Sequence, residues 1–356
     1  MIIAGAGSGK TRVLAYRIAY LLQCGVPAHN ILALTFTNKA AREMRERVEL
    51  LIPGEDAKRI WMGTFHSTFA RLLRRDAEKI GFHKSFSIYD TDDSQALVKS
   101  IMSDRGINTQ QLSASAVRHA ISAAKNKMMS PADLDADTRD VFGRKVAEVF
   151  RDYEARLRAA NAMDFDDLIL HPIRLFDEHP DVLEHYQQLF KFILIDEYQD
   201  TNQAQYQIVK RLASAHQNIC VVGDDAQSIY AFRGADIRNI LEFERTFPDA
   251  RTFRLEQNYR STKTILQGAD SVIKNNKDQI RKTLWTENDE GDPISIIETA
   301  DEGDEAKRVV YLMQDESRKR KLQLRDFAVL YRTNSQSRAL EAVSYTHLTL
   351  PTSDLV

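Results

Sequence analysis

Residues Ala4 to Thr11 read AGAGSGKT, directly after Met1-Ile2-Ile3. An apolar start, a glycine-rich turn and then Lys-Thr leave such a chain few folds to adopt. The backbone of Ala4, Gly5, Ala6, Gly7, Ser8 and Gly9 can curl so that successive N–H groups point at phosphate oxygens. Lys10 can reach the β- and γ-phosphates, and Thr11 can place its hydroxyl on Mg²⁺. A helix starting near Lys10 adds its positive N-terminal end. Ala4 stands where the usual pattern has Gly, a small departure that still leaves room for the turn. A glycine-rich turn can be purely structural, but the Lys-Thr that follows argues for nucleotide binding.

The stretch Phe192 to Asp200, FILIDEYQD, complements this loop. Four apolar residues form a buried strand whose end delivers the adjacent carboxylates Asp196 and Glu197. In an open α/β sheet, ligands sit outside the carboxyl ends of the strands. An acid pair there can hold Mg²⁺ with one member and activate water with the other. Alone, the same residues fit a strand ending in a solvated acidic turn. The phosphate loop breaks the tie.

Strand-like runs recur at Ile31 to Phe36, Ile60 to Phe65, Phe192 to Ile195 and Ile219 to Val222, with helical patterns such as Arg12 to Leu22 and Lys39 to Leu51 between them. That alternation predicts a parallel sheet covered on both faces. From Thr91 to about Tyr186 the pattern is helix after helix, which predicts a helical subdomain inserted into the α/β domain. A second α/β pattern follows Phe253, with strands expected at Ile294 to Ile297 and Phe327 to Tyr331. Only Met1 to Ala4 can form the strand before the phosphate loop, short of the usual five or six residues. The chain is therefore expected to lack its natural N-terminus. From Ser344, SYTHLTLPTSDLV does not continue the helical pattern of Ser337 to Val343 and is expected to be a non-native tail.

With 356 residues, 43% hydrophobic and 28% charged, the composition is that of a globular protein of two or more domains. A formal net charge of −2 gives no global basic field. The local clusters Arg71-Arg74-Arg75, Lys125-Lys127 and Arg318 to Lys321 read first as solvated faces. Two distant cysteines, Cys24 and Cys220, fit neither a disulfide framework nor a metal site. No apolar run approaches membrane-spanning length and no signal peptide is visible, so a cytoplasmic protein with no membrane partner is expected. Asp164, Asp166 and Asp167 in MDFDDLIL read as a helix cap with acids in the first turn.

Four further segments carry a resemblance: TFTNKAA (Thr35 to Ala41), GTFHS (Gly63 to Ser67), GDDAQSIYAFRGA (Gly223 to Ala235) and LEQNYRS (Leu255 to Ser261). In this order around AGAGSGKT and IDEYQDTN, they resemble the UvrD/Rep/PcrA group of superfamily 1 DNA helicases, up to about Val343. The resemblance implies an α/β fold: a RecA-like P-loop NTPase sheet with an inserted all-helical subdomain and the start of a second RecA-like domain. The implied division is motor domain 1A at 1–90 and 187–254, insertion 1B at 91–186, and the start of domain 2A at 255–343.

By the same resemblance, Lys10 is the phosphate-loop lysine, and Thr11 with Asp196 forms the Mg²⁺ site. Glu197 is the general base, Gln227 the γ-phosphate sensor and Arg260 an arginine finger. Arg12 and Tyr259 would sandwich adenine. Phe36, Phe65, His66, Tyr230, Phe232 and Arg233 would line the single-strand track, where aromatic faces accept any base. Phe232 stands where many relatives carry Trp. An aromatic in a strand-to-helix turn is as readily core as platform, which holds for Phe36 and Phe65. The implied cofactors are ATP and Mg²⁺. The implied partners are single-stranded DNA, 3′-tailed duplex DNA and repair or replication proteins, with 3′ to 5′ movement. The adenine-reading Gln motif, the second insertion and the later motifs of the family have no counterpart in the sequence. The chain alone is therefore expected to bind nucleotide weakly, hydrolyse ATP poorly and not unwind DNA. Three rivals remain: a P-loop ATPase not coupled to DNA, a non-enzymatic DNA-binding scaffold, and the motor subunit of a helicase–nuclease complex. The intact set Lys10, Thr11, Asp196, Glu197, Gln227 and Arg260 argues against a degenerate scaffold.

Overall fold

A computed structural model describes residues 1–54, 56–108, 112–277 and 279–348; the side chains of Arg233, His347 and Leu348 lie outside that description. The chain forms two compact units, Met1–Gly291 and Asp292–Val356.

In the first unit, six parallel strands form one sheet in the order β3-β2-β6-β7-β1-β8. They are β1 Ile2–Ala4, β2 Ile31–Thr35, β3 Trp61–Thr64, β6 Phe192–Ile195, β7 Ile219–Gly223 and β8 Phe253–Leu255. The remaining two, β4 Ser87–Tyr89 and β5 Ala162–Asp164, make a separate parallel pair. All four strand-like runs expected before Phe253 are strands here. Alternate residues along the strands enter opposite cores, as the two-residue repeat of a strand requires. Ile3, Leu32, Leu34, Ile193, Ile195 and Val221 face one core. Ala4, Ile31, Ala33, Leu194 and Val222 face the other, against Leu14 and Ile18 of the helix Lys10–Gln23.

The helical stretch expected over 91–186 divides between two cores. Helices Thr91–Asp104, Ala114–Asn126 and Val141–Ala159 build their own, around Val98, Ile121, Phe150 and Leu157. Helices Asp167–Glu178 and Pro180–Leu189 instead pack Ile173, Phe176 and Tyr186 into the sheet core. The inserted block is also not purely helical at its base, where β4 and β5 pair.

At the junction sits Lys125, which is not part of a solvated basic face. Its side chain is 1% exposed, with Nζ 2.9 Å from Asp164, 2.8 Å from Asp167 and 2.7 Å from Glu154. The Tyr153 hydroxyl donates to Asp164 at 3.0 Å. Burial works against the Lys125 charge, but the carboxylates outweigh it and hold its pKa well above the ordinary lysine value. Asp164 does cap the following helix, accepting the Asp167 N–H at 2.8 Å, and Asp167 accepts the Asp164 N–H at 3.0 Å. Both acids therefore serve two purposes: they close the helix start and clamp the insertion to the sheet domain.

The second unit pairs the helices Glu302–Arg320 and Asn334–Leu348. Asp301 caps the first by accepting the Asp304 N–H at 2.8 Å, with acids in its first turn and Arg318, Lys319 and Arg320 in its last. The strands expected at 294–297 and 327–331 do not form among the described residues. A β-strand needs a paired neighbour to satisfy its backbone, and neither segment has one, leaving Ile296 91% and Leu330 94% exposed. The second helix also continues past Val343 to Leu348, because no glycine or proline interrupts it before Pro351. The rest of the expected tail, 349–356, lies outside the described residues.

Lys125→Met removes the cation from a cluster of buried carboxylates and is expected to destabilise the first unit by about 3–5 kcal/mol. Urea unfolding against the wild type checks this; a loss under about 1 kcal/mol would mean that the cluster is not buried as described.

Candidate functional site: a phosphate-loop cleft beside a polar groove

All six strands run parallel, so their carboxyl ends share one edge, and the segments that follow them meet there. After β1 comes the phosphate loop. Gly7 and Gly9 have φ of 68° and 90°, the left-handed region that glycine enters freely. At Gly7 a side chain would also collide: its Cβ would lie 2.6 Å from Asn258 Nδ2 and 2.9 Å from Arg260 Cβ. The Ser8 hydroxyl donates to the Gly5 carbonyl at 2.7 Å and tightens the turn. The helix Lys10–Gln23 starts from Gly9 with no side-chain cap, so its first N–H groups remain available to an anion.

β6 delivers the acid pair. Asp196 is 2% exposed; burial and then the neighbouring Glu197 push its carboxyl up to about 6, against the pull of Lys10 and the Thr11 hydroxyl. Glu197 has a left-handed backbone, φ 49° and ψ 47°, uncommon for a residue with a side chain. Its N–H donates to Asp196 Oδ1 at 3.0 Å. Lys10 Nζ is buried, makes no hydrogen bond and stands 3.2 Å from Glu197 Oε2. An ammonium has three donors, so this contact leaves it able to serve phosphate oxygens. Uncapped helix N–H groups, an under-satisfied buried lysine and a hydroxyl beside a carboxylate together fit a Mg²⁺–nucleotide.

A cleft of about 660 Å³ brings together Gly7, Gly9, Lys10, Thr11, Arg12, Glu197, Gln227 and Arg260. Asp196 lies behind Glu197 and Thr11, and Ala4 is buried at the end of β1. Arg12 lies over the ring of Tyr16, one turn on in its own helix, 5.4 Å from Arg12 Cζ to the ring centroid. Tyr259 is 66% exposed; its N–H donates to the Gly7 carbonyl of the phosphate loop at 3.0 Å and its hydroxyl to Gln257 Oε1 at 2.9 Å.

Two residues not singled out from the sequence organise this cleft. Asn258 donates to the Ala6 carbonyl at 2.6 Å and accepts the N–H groups of Arg260 and Ser261 at 2.8 and 2.7 Å, tying QNYRS to the phosphate loop. Gln199 donates to Glu197 Oε2 at 2.8 Å and accepts the Asp224 N–H at 2.9 Å, joining the ends of β6 and β7. Both are amides within the sequence motifs, but the partners that make them organisers, Ala6 and Asp224, are remote in sequence and so were not legible there.

A second, larger cavity of about 1210 Å³ lies beside the cleft, between the carboxyl edge of the sheet and the helix Ala114–Asn126. Phe36, Phe65, His66 and Phe232 all reach it. Phe65, however, is 3% exposed and packs on Phe69 with ring centroids 6.2 Å apart, so it is chiefly a core residue with one edge on the groove. Phe232 is 79% exposed. Tyr230 lies between Phe36 and Phe232 in tilted ring contacts, with centroids 4.8 and 5.9 Å away. Burial lowers the His66 pKa, which favours a neutral ring, and His66 meets Phe165 edge to face at 5.9 Å. The Arg233 side chain lies outside the described residues. Besides His66 and the buried Lys125, the groove is lined by the basic residues Arg118, His119, Lys127 and Arg238. Of these last four only Lys127 fell in a cluster visible in the sequence. In the cluster at 71–75, Arg71 and Arg74 instead cover the rings of Trp61 and Phe86, each at 3.8 Å.

No helix among the described residues is long and apolar enough to cross a membrane. Residues 1–248 match the UvrD/REP helicase N-terminal domain, and residues 253–349 match the UvrD-like helicase C-terminal domain. The chain is 51% identical over 342 residues to the ATP-dependent DNA helicase PcrA of Staphylococcus aureus, covering 96% of this chain and 47% of that relative. Identity to the Staphylococcus epidermidis PcrA helicase is 50% over the same length. The chain thus spans about half the length of these relatives. It belongs to the UvrD/REP helicase family.

Proposed function

We propose that this chain is the ATP-binding and DNA-gripping part of a 3′ to 5′ DNA helicase, which couples ATP hydrolysis to movement along single-stranded DNA in repair or replication. One observation carries the reading. The segment Gly223 to Ala235 lines the nucleotide cleft with Gln227 and the groove with Phe232, while Tyr230 between them packs its ring against Phe36. A short segment that touches both sites can transmit a change at one to the other. On this reading motor domain 1A is 1–90 and 187–254, insertion 1B is 91–186 with its last helices packed into the core of 1A, and domain 2A begins at 255.

The residues then take these parts. Bound Mg²⁺ would neutralise phosphate charge from the Thr11 hydroxyl and Asp196 carboxylate. Lys10 leaves Glu197 for the phosphates, which frees that carboxylate to orient a water and accept its proton. The left-handed backbone of Glu197 and its bond from Gln199 hold the carboxylate in place. Arg260 is aimed at the γ-phosphate by Asn258, and Arg12 with Tyr16 offers a flat cationic and aromatic surface to a base. In the groove, Phe232 and Tyr230 supply sequence-tolerant stacking faces, while Arg118 and Lys127 supply charge for the backbone.

ATP turnover by the full-length protein, with and without single-stranded DNA, tests the reading. Strong stimulation by DNA is expected. Glu197→Gln should lower turnover at least about a hundredfold while nucleotide still binds. Turnover indifferent to DNA would favour the unrelated P-loop ATPase. Phe232→Ala should weaken single-stranded DNA binding by about 1–3 kcal/mol in fluorescence anisotropy, with nucleotide affinity unchanged.

Asp196 gives a pH signature. Its carboxyl titrates at about 6 in the folded chain, above the ordinary value for an unfolded aspartate. The folded state therefore holds this proton more tightly, and ionising the group costs stability as pH rises from about 4 to 6, reaching about 3 kcal/mol above that range. Without nucleotide, Asp196→Asn should be more stable than the wild type at pH 7.5, and the difference should vanish toward pH 4 in urea unfolding. Mg²⁺–nucleotide affinity of the wild type should fall below pH 6, because the protonated carboxyl no longer attracts the ion.

A further inference from the structure

Lys282 belongs to no motif in the sequence, yet its ammonium is placed as carefully as that of Lys10. Its side chain is 9% exposed, and Nζ donates to Asp224 Oδ1 and Asp225 Oδ1, both at 2.6 Å. The two acceptor side chains are at most 2% exposed. Asp225 also accepts the Ile280 N–H at 2.7 Å, so the segment around Lys282 is fastened at two points. Asp224 is engaged on its other side as well, where its Oδ2 accepts the Gln227 side-chain amide at 2.6 Å. Its N–H reaches Gln199, which in turn holds Glu197.

Adjacent buried carboxylates repel each other and are costly without a cation between them. Lys282 supplies that cation. It thereby fixes Asp224, and Asp224 fixes the Gln227 amide on the wall of the cleft. We propose that Lys282 is a positioning residue: by holding Asp224 and Asp225 it sets how Gln227 meets the nucleotide, and so decides whether nucleotide occupancy reaches the aromatic segment 230–232. The inference rests on reading the cleft as an ATP site. A phosphate group entering near Gln227 would compete with Asp224 for the amide. Lys282 keeps Asp224 in place during that exchange, so the motion passes along 227–232 instead of dissipating in the loop. This is a discrete exchange of hydrogen-bond partners, the type of element that coupling requires.

Hydrogen–deuterium exchange on the full-length protein, with and without a saturating non-hydrolysable ATP analogue and Mg²⁺, tests the proposal. In the wild type the analogue is expected to slow exchange about tenfold both in the loop 5–11 and in 224–232. In Lys282→Met, protection of 5–11 should persist while protection of 224–232 is lost, and Lys282→Arg should restore part of it. If Lys282→Met does not fold, the double variant Asp225→Asn with Lys282→Gln, which removes one charge of each sign, carries the same comparison. Equal protection of both segments in the variant would overturn the proposal. So would loss of protection in both, since Lys282 would then support the site as a whole. Absence of loop 5–11 protection in the wild type would instead refute the ATP reading, and the inference with it.

Discussion

The parallel sheet is the constraint on which everything else depends. Because β1 lies between β7 and β8, with β6 beyond β7, the phosphate loop, the acid pair and the Gln227 segment emerge side by side from one edge. An antiparallel neighbour would send its following loop to the opposite edge and break the constellation. The ladder is also short: β1 pairs only Ile2 and Ile3 with β7. Backbone bonds there are few, so side chains carry part of the alignment. Asn258 clamps the segment after β8 to the phosphate loop, and Gln199 joins the segments after β6 and β7.

Placing the groove requires a second device, because its far wall belongs to the inserted helices. The Lys125 cluster supplies it. A hydrophobic junction would bury the same surface with less electrostatic cost, but it would tolerate sliding. Lys125, held by Asp164, Asp167 and Glu154, joins the insertion to the sheet domain through directional contacts instead. Directional contacts of this type suit a groove whose two walls must keep register. Asn126, next in sequence, continues the junction by donating to Asp166 at 3.0 Å and accepting from Asn202 at 2.6 Å.

Much of this was legible in the sequence because it is local. The strands at 31–35, 61–64, 192–195 and 219–223 are apolar runs of ordinary strand length, and the phosphate loop and acid pair are contiguous motifs. What escaped was long-range. Lys125 looked like one basic residue among others, since nothing near it in sequence shows that three carboxylates close over it. Phe65 could not be sorted between core and groove without its neighbours. The runs at 294–297 and 327–331 have strand composition, but composition cannot supply the partner strand that would pair them. Sequence also showed which residue types could meet a nucleotide without showing that Arg12 turns to Tyr16.

The cleft is not arranged for the stability of the nucleotide-free chain. It holds a carboxyl raised to about 6, a buried ammonium without a hydrogen bond and a glutamate in a left-handed backbone. Each costs free energy that a plain apolar edge would not. A divalent cation and a polyphosphate would relieve the first two, the cation taking Asp196 and the phosphates taking Lys10, while the backbone of Glu197 would hold its freed carboxylate toward the site. The strain is therefore directional, because it favours the liganded arrangement without requiring any fold change. Where a site's unfavourable features all point to one missing chemistry, they support an assignment more strongly than favourable contacts do, since favourable contacts arise in any packed core.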